Sequence, residues 1–528
     1  MPVRAEPARP AVDRPAPLAR RHAPARPSSD RPTVEPAATR PADLSPRATR
    51  ATLAVLVLLA AALRLTGLGR ESLWVDEGYT KYLATLTPGA YLDDVRHTVR
   101  NILPPLYFTL LHGWTALAGD SETALRLPSA VAGILTLPLL HALLSRLFDR
   151  TTGLLGAGLL AVAPFHLHFA QEARMYALLA LLCVASAYLL VRLLDETRTW
   201  QLLALAVTEA AVVWTHHYGL LVLVAEAAFV GVLTARRDVT GRALRRWLAA
   251  QVLAAVLVLP WALLFLDQLH KVGAYPWLPP VTVGSVGAVL VAFAGSPAAL
   301  AATGALLAAG LWGATRGRTA GRGVLLLWCL FAVPLLLAIG YSVAVSPVFG
   351  RKYLIASSVA LLGLAAVGAR TLAGQVLTGR RRAAAALAVV LVAALAAPQV
   401  LAQRTTTTKE QWREATALVE RTAAPGDVVL FNAGYTMRNG FGAYATRTDL
   451  ETHPFPLGSE EFSLRPTPAQ LDALPGLVTG RRHAFVVYSQ SDDPGWSIAD
   501  ALGALADGGD CTDLVGVSVC RYDLRSDA

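Results

Sequence analysis

Charged residues make up only 16% of this 528-residue chain, and no Asp or Glu occurs anywhere from Gln268 to Leu401. A soluble globular protein carries about 25% charge, so an ordinary cytosolic enzyme is excluded. Cysteine is equally sparse, four residues with no CxxC pair, which removes the zinc-ribbon and thioredoxin-like readings. The first 50 residues contain no aromatic side chain but hold 11 of the 32 prolines and ten arginines. Such a segment cannot bury enough apolar surface to offset its ordering entropy and is expected to be a disordered tail. It also lacks the short apolar core and small-residue cleavage site of a secretory signal.

What the chain has is apolar surface: 54% hydrophobic residues and a mean hydropathy of +0.46, gathered into long runs. The net charge of +10 divides by region, with 26 Lys+Arg against 15 Asp+Glu between Ala51 and Leu401, 10 against 5 before it and 11 against 17 after it. The positive charge therefore follows the membrane part and its tail, and topology explains it better than nucleic acid does. Arginine-bearing turns occur at Ser145 to Arg150, Arg192 to Arg198, Arg236 to Arg246, Arg316 to Arg322 and Arg370 to Arg382. Placing all of them in the cytoplasm predicts spans near 51–68, 125–147, 152–170, 175–194, 200–216, 218–235, 247–266, 284–315, 323–345, 353–372 and 383–401. The 284–315 run exceeds the ~20 residues a bilayer needs, so Gly295–Pro297 is expected to break it. An odd count near eleven puts the C-terminal part on the side opposite the tail.

The chain then reads as a polytopic α-helical membrane protein with a small C-terminal extracytoplasmic α/β domain, set in a cell membrane. Residues 1–50 form the cytoplasmic tail, 51–401 the membrane domain and 402–528 the α/β domain. The segment Pro104–Ala118 begins at a double proline and is too short to span; it is expected to be interfacial or re-entrant, inside a long outer loop, 69–125. In the C-terminal part, Glu410–Thr422 and Ser497–Ala506 read as helices. Asp427–Phe431, Ala484–Tyr488 and Leu514–Cys520 read as strands. Cys511 and Cys520 are expected to pair as a disulfide there; Cys183 and Cys329 lie in spans as packing residues.

Long loops with their own apolar anchor are usually functional, and loop 69–125 carries Glu71, Asp76, Glu77, Asp93, Asp94, Asp120 and Glu122. Asp76 and Glu77 follow the first span within a few residues. A carboxylate there can serve as general base toward an acceptor hydroxyl, although a solvated helix N-terminus would also favour both acids. A second cluster, PFHLHFAQEARMY, sets His166, His168, Gln171, Glu172, Arg174 and Tyr176 at a membrane boundary, where polar groups are costly unless they line a cavity. Arg174 suits a phosphate, because guanidinium offers a fork of donors to an oxyanion; snorkelling with Glu172 as partner is the plainer alternative. His216-His217-Tyr218, His270-Lys271 and Arg351-Lys352-Tyr353 add outer-face groups against the positive-inside bias. Arg351 and Lys352 suit an anionic headgroup or simple anchoring. Glu209 and Glu226 sit within spans without an evident partner.

In order and spacing, WVDEGYT, PPLYFTLLHGW, SETALRLPSAVAG, APFHLHFAQEARMYALL and the late RKYL resemble the polytopic GT-C glycosyltransferases of family 39, the protein O-mannosyltransferase and aminoarabinose transferase relatives. The resemblance covers roughly residues 50–400. It implies inverting transfer of a sugar, most often mannose, from a polyprenyl-phosphate donor to an extracytoplasmic protein, glycan or lipid acceptor. Asp76 then matches the family's first-loop acid and Glu77 its neighbour. Gln171, Glu172, Arg174 and Tyr176 match the outer-loop motif, and Arg351 and Tyr353 the late basic one. Many relatives carry a His directly before the proline pair; here Leu103 stands there and His97 lies further back. A divalent ion near Asp76, Glu77 and the outer histidines is left open, since no ligand spacing compels one. A lipid or glycan transporter using Glu209 and Glu226, or a wall-polymer ligase, are the competing functions.

Overall fold

The computed structural model describes residues 44–97, 103–196, 198–269, 278–316, 321–376, 381–431, 434, 436–454, 471–489 and 496–525. Most of the expected tail, and the His270-Lys271 pair, lie outside the described residues. The chain opens with α1 (Pro46–Leu65), whose first turn is fixed by Ser45 accepting from the Ala48 amide and by a proline at the first helical position. The loop beyond it carries α2 (Val75–Thr85), α3 (Pro88–His97) and α4 (Leu106–Ala118). The 13-residue α4 is short and apolar, as expected for a segment that does not span.

Twelve further helices complete the membrane part: α5 (Glu122–Leu147), α6 (Arg150–Val162), α7 (Pro164–Ala170), α8 (Tyr176–Glu196), α9 (Thr199–Thr215), α10 (Gly219–Ala235), α11 (Gly241–Leu269), α12 (Val283–Ala294), α13 (Pro297–Thr315), α14 (Gly321–Ala344), α15 (Ile355–Val376) and α16 (Arg381–Thr405). Every predicted span is helical. Among the described residues eight helices are long and apolar enough to cross a membrane, nine if α6 and α7 count as one span bent by 62°. The difference from eleven arises at α9 and α10, each 17 residues, and at the α6/α7 bend, where Pro164 starts a new helix. The 284–315 run does break, at Gly295 with φ +97°, where a Cβ would meet Ala396 and Pro164 at 2.9 Å.

Four of the five arginine-bearing turns meet at one end of the bundle: Arg146 pairs with Asp195 and Glu196, Arg322 with Asp195 and Arg370 with Asp149. At the other end of α5, Glu122 pairs with Arg413 of the C-terminal part. That part is a five-stranded sheet of order β2-β1-β3-β5-β4, built from β1 (Val428–Phe431), β2 (Glu451–Pro454), β3 (His483–Ser489), β4 (Ala506–Leu514) and β5 (Val517–Leu524). Strand β1 is parallel to β2 and β3, whereas β5 is antiparallel to β3 and β4. Alternation along β1 sends Val429 and Phe431 toward α17 (Trp412–Thr422). Val428 and Leu430 go instead toward α18 (Leu474–Val478) and α19 (Trp496–Gly503).

The expected strand Leu514–Cys520 is corrected to a hairpin that turns at Gly516, with φ +70°. Strand β4 is a solvent-facing edge of polar residues, ADGGDCTDL, and carries no alternation to read. Cys511 and Cys520 are direct register partners across this hairpin and are joined as a disulfide.

Helices α13 and α15 touch backbone to backbone, since a Cβ on Gly368 would lie 1.9 Å from the Leu306 carbonyl oxygen. Gly368→Val should force them apart and destabilise the protein by about 1–3 kcal/mol. Gly374→Ala, with nothing within 4 Å of its added carbon, should be neutral or stabilise by up to about 1 kcal/mol, since Ala is the better helix former. Thermal unfolding in detergent compares the two.

Candidate active site at the first loop

Helix α2 begins after the extended Trp74, so Asp76 and Glu77 occupy its first turn. Successive helical residues point about 100° apart, and the two acids accordingly meet different surroundings. Glu77 is completely buried. Arg126 of α5 grips it bidentately, Nε to Oε1 at 2.8 Å and Nη2 to Oε2 at 2.6 Å. Lys409 Nζ reaches Oε2 at 2.9 Å and the Ala173 amide donates to Oε1 at 2.7 Å. The remaining N–H groups of Arg126 donate to the carbonyls of Leu68, Glu71 and Ser72, so all five guanidinium donors are used.

Asp76 keeps about 30% of its side chain exposed, where Glu77 has none. That difference decides which acid a substrate can reach. Lys352 Nζ stands 3.2 Å from Asp76 Oδ2 and Arg174 Nη2 3.8 Å away, while Arg174 Nη1 donates to the Asp76 carbonyl at 3.1 Å. Burial alone would raise both carboxyls, but the neighbouring cations outweigh it. Asp76 is held below its ordinary range by Arg174 and Lys352, and Glu77 far below by Arg126 and Lys409. Both are therefore ionised at neutral pH. Glu410, from the segment entering α17, behaves differently: burial pushes its carboxyl above the usual carboxylate value.

Around these acids the other predicted residues sort themselves. Glu172 pairs with His168 at 3.1 Å, not with Arg174, whose partner is Asp76. Gln171 donates to the carbonyls of Leu63, Arg64 and Thr66, closing the C-terminus of α1. Lys352 sits among Trp74, Tyr353 and Tyr176, with its ammonium 5.2, 5.6 and 6.0 Å from their ring centroids. Tyr353 continues this wall onto His216 and Tyr218. Arg351 is exposed. His97 is exposed at the end of α3, paired with Asp93, and no contact among the described residues joins it to the cluster. His166 bonds Ser358, while Glu209 and Glu226 accept from Gln251 and Ser186.

Two buried donors at the cluster, Arg174 Nε and Trp74 Nε1, have no hydrogen-bond partner among the described residues. Two cations, Arg174 and Lys352, share the single carboxylate of Asp76, which leaves one positive charge in excess at that acid. The arrangement suits an oxygen-rich anion beside an open carboxylate. Among the described residues no three His, Cys, Asp or Glu side chains converge as metal ligands. Sequence reasoning missed Arg126, which lies inside the quoted SETALRL stretch, as well as Lys409 and Glu410.

The helical membrane part with a small α/β part after it is a fold that this chain shares with solved GT-C glycosyltransferases. Residues 103–264 match the family model described as dolichyl-phosphate-mannose-protein mannosyltransferase. The chain is similar to ArnT from Cupriavidus metallidurans bound to undecaprenyl phosphate, at 14% identity and TM-score 0.59 over 90% of this chain and 98% of that one. It is also similar to the oligosaccharyltransferase AglB from Archaeoglobus fulgidus, at 11% identity and TM-score 0.57 over 89% and 74% of the two chains. Arabinofuranosyltransferase AftD from Mycobacteria aligns at 16% identity and TM-score 0.51, over 92% of this chain and 42% of AftD. No curated protein matches in sequence.

Removing one partner from a buried ion pair leaves the rest uncompensated, so Glu77→Gln should cost about 3–5 kcal/mol. Because the folded carboxyl of Glu77 is depressed, its stabilisation is present above the unfolded carboxylate range and lost as pH falls through the folded value. Thermal scans should show a constant gap between the wild type and Glu77→Gln from pH 7 to about 5 and convergence only below the unfolded carboxylate value.

Proposed function

We propose that the protein is a membrane glycosyltransferase that moves a sugar from a polyprenyl-phosphate-sugar donor to an acceptor hydroxyl, with inversion at the anomeric carbon. The observation that carries this reading is the open carboxylate of Asp76, held beside two cations that an anionic ligand can share. ArnT, a structural neighbour, is described as binding undecaprenyl phosphate, which supports the donor class. The sugar in this reading is a mannose-like hexose, after the description of the family model that matches residues 103–264.

In the proposed step the acceptor oxygen attacks the anomeric carbon, and the bond from that carbon to the donor phosphate breaks. Asp76 takes the hydroxyl proton. The departing polyprenyl phosphate gains a negative charge, which Lys352 and Arg174, with its unpartnered Nε, are placed to receive. Tyr176 and Tyr353 wall the ammonium of Lys352, and exposed Arg351 supplies a further cation toward the headgroup or surrounding lipid. We read residues 51–401 as the transferase domain of a plasma-membrane protein, with the tail cytoplasmic. The Asp76 loop and residues 402–528 are then extracytoplasmic, where the sugar must arrive attached to lipid. The acidic balance of the C-terminal part, 11 basic against 17 acidic residues, argues against an anionic glycan acceptor.

Purified protein in nanodiscs, given polyprenyl-phospho-mannose and candidate acceptors, tests the reading. Asp76→Asn should lower kcat by about 10²- to 10⁴-fold with donor affinity retained. Arg174→Ala should weaken donor binding with folding intact. Full activity of Asp76→Asn would refute the base, and unchanged donor affinity of Arg174→Ala would refute the phosphate contact. Since the Asp76 carboxyl is depressed, it stays ionised as pH falls, and transfer should not decline from pH 8 to about 5 for want of base.

A further inference from the structure

The C-terminal part touches the Asp76 helix on both sides of the acid through two consecutive residues. Helix α2 begins without a side-chain cap of its own, because Trp74 accepts no bond from the first turn. Its Val75 amide donates instead to Glu410 Oε2 at 3.2 Å. Glu410 is itself held from within the C-terminal part, by Trp412 Nε1 at 2.6 Å and by Ser489 Oγ at 3.0 Å. A carboxyl oxygen at a helix N-terminus satisfies an orphan amide at the positive end of the dipole. One residue beyond Asp76, buried Lys409 gives Glu77 its second cation and also donates to the Gln171 carbonyl at 3.2 Å.

The C-terminal part also grips the loop before the helix. Thr408 N donates to Glu71 Oε1 at 2.5 Å, Ser72 Oγ to the Glu410 carbonyl at 2.5 Å, and Leu73 N to Tyr444 Oη at 2.6 Å. On its far side α2 packs so closely that a Cβ on Gly78 would fall 1.7 Å from the Asn439 carbonyl oxygen. Among the described residues Asp76 shares no hydrogen bond with the C-terminal part, whereas its neighbours Val75, as donor, and Glu77, as acceptor, both do.

We infer that Lys409 and Glu410 are positioning residues, through which the C-terminal part caps the Asp76 helix from a distant point of the same chain and fixes the acid relative to Lys352 and Arg174. The inference rests on the transferase reading for its kinetic consequence but not for its structural one. The alternative is that the two residues contribute only general stability.

The test uses the full chain in nanodiscs, with Lys409→Met, Lys409→Arg and Glu410→Ala. Hydrogen exchange at the α2 amides needs no activity. Lys409→Met and Glu410→Ala should each speed it by about ten-fold or more while β1 and β3 stay protected. With polyprenyl-phospho-mannose as donor, each should lower kcat by about 10- to 100-fold, with donor KM changed by less than about three-fold. Lys409→Arg should recover most of the rate. Introduced into Asp76→Asn, Lys409→Met should change the residual rate by less than about two-fold, because both act through one group. Unchanged exchange in α2, or a full additive loss in the Asp76→Asn background, would overturn the inference. A wild type inactive on every lipid-linked sugar would sink the transferase reading, leaving the exchange result to decide the anchoring.

Discussion

The arrangement of this site depends on one carboxylate withdrawn completely from water. An ionised Glu77 in that position would cost several kcal/mol if left alone, and its stability requires partners from widely separated parts of the chain. Arg126 comes from α5, the Ala173 amide from the link between α7 and α8, and Lys409 from the segment that follows α16. Arg126 then spends its remaining donors on the carbonyls of Leu68, Glu71 and Ser72, backbone groups of a connection with no regular ladder to satisfy them. A single buried charge thereby ties the first loop, two helices and the C-terminal part into one geometry.

Asp76 follows from that constraint. Fixing Glu77 inward turns its neighbour by about a third of a turn, toward Lys352 and Arg174 and toward solvent. The two adjacent acids, chemically alike, become unlike in role through environment: one is saturated with bonds and sealed, the other shares its cations and can be reached. Aromatic rings around Lys352 keep the ammonium in place without neutralising it, so its charge remains for an incoming anion.

Much of the fold was legible because bilayer length and apolar runs are local signals: the eleven predicted spans all fall on helical segments, two of them broken, at Pro164 and at Gly295, and the Gly295 break is a matter of one residue's backbone. Asp76, Arg174 and Lys352 were legible as charges where charges are costly. Arg126 and Lys409 were not, because their partner Glu77 lies 49 and 332 residues away and no periodicity encodes such contacts. Glu410 read as the start of an amphipathic helix, whereas it lies just before α17 and caps a different helix. Strand β4 was invisible for the opposite reason, since an exposed polar edge has no burial pattern to betray it. Contacts of Gln171, His168 and Glu172 also separated what sequence proximity had grouped: one closes a helix, and the other two pair with each other.

The central claim is that the cations beside Asp76 receive the phosphate of a lipid-linked donor. Cryo-electron microscopy of the full chain in nanodiscs with undecaprenyl phosphate tests it most directly. The account predicts phosphate density within hydrogen-bond reach of Lys352 Nζ and Arg174, adjacent to a carboxylate of Asp76 still open to an acceptor. Phosphate bound elsewhere, with the Asp76–Lys352 pair unchanged, would contradict it.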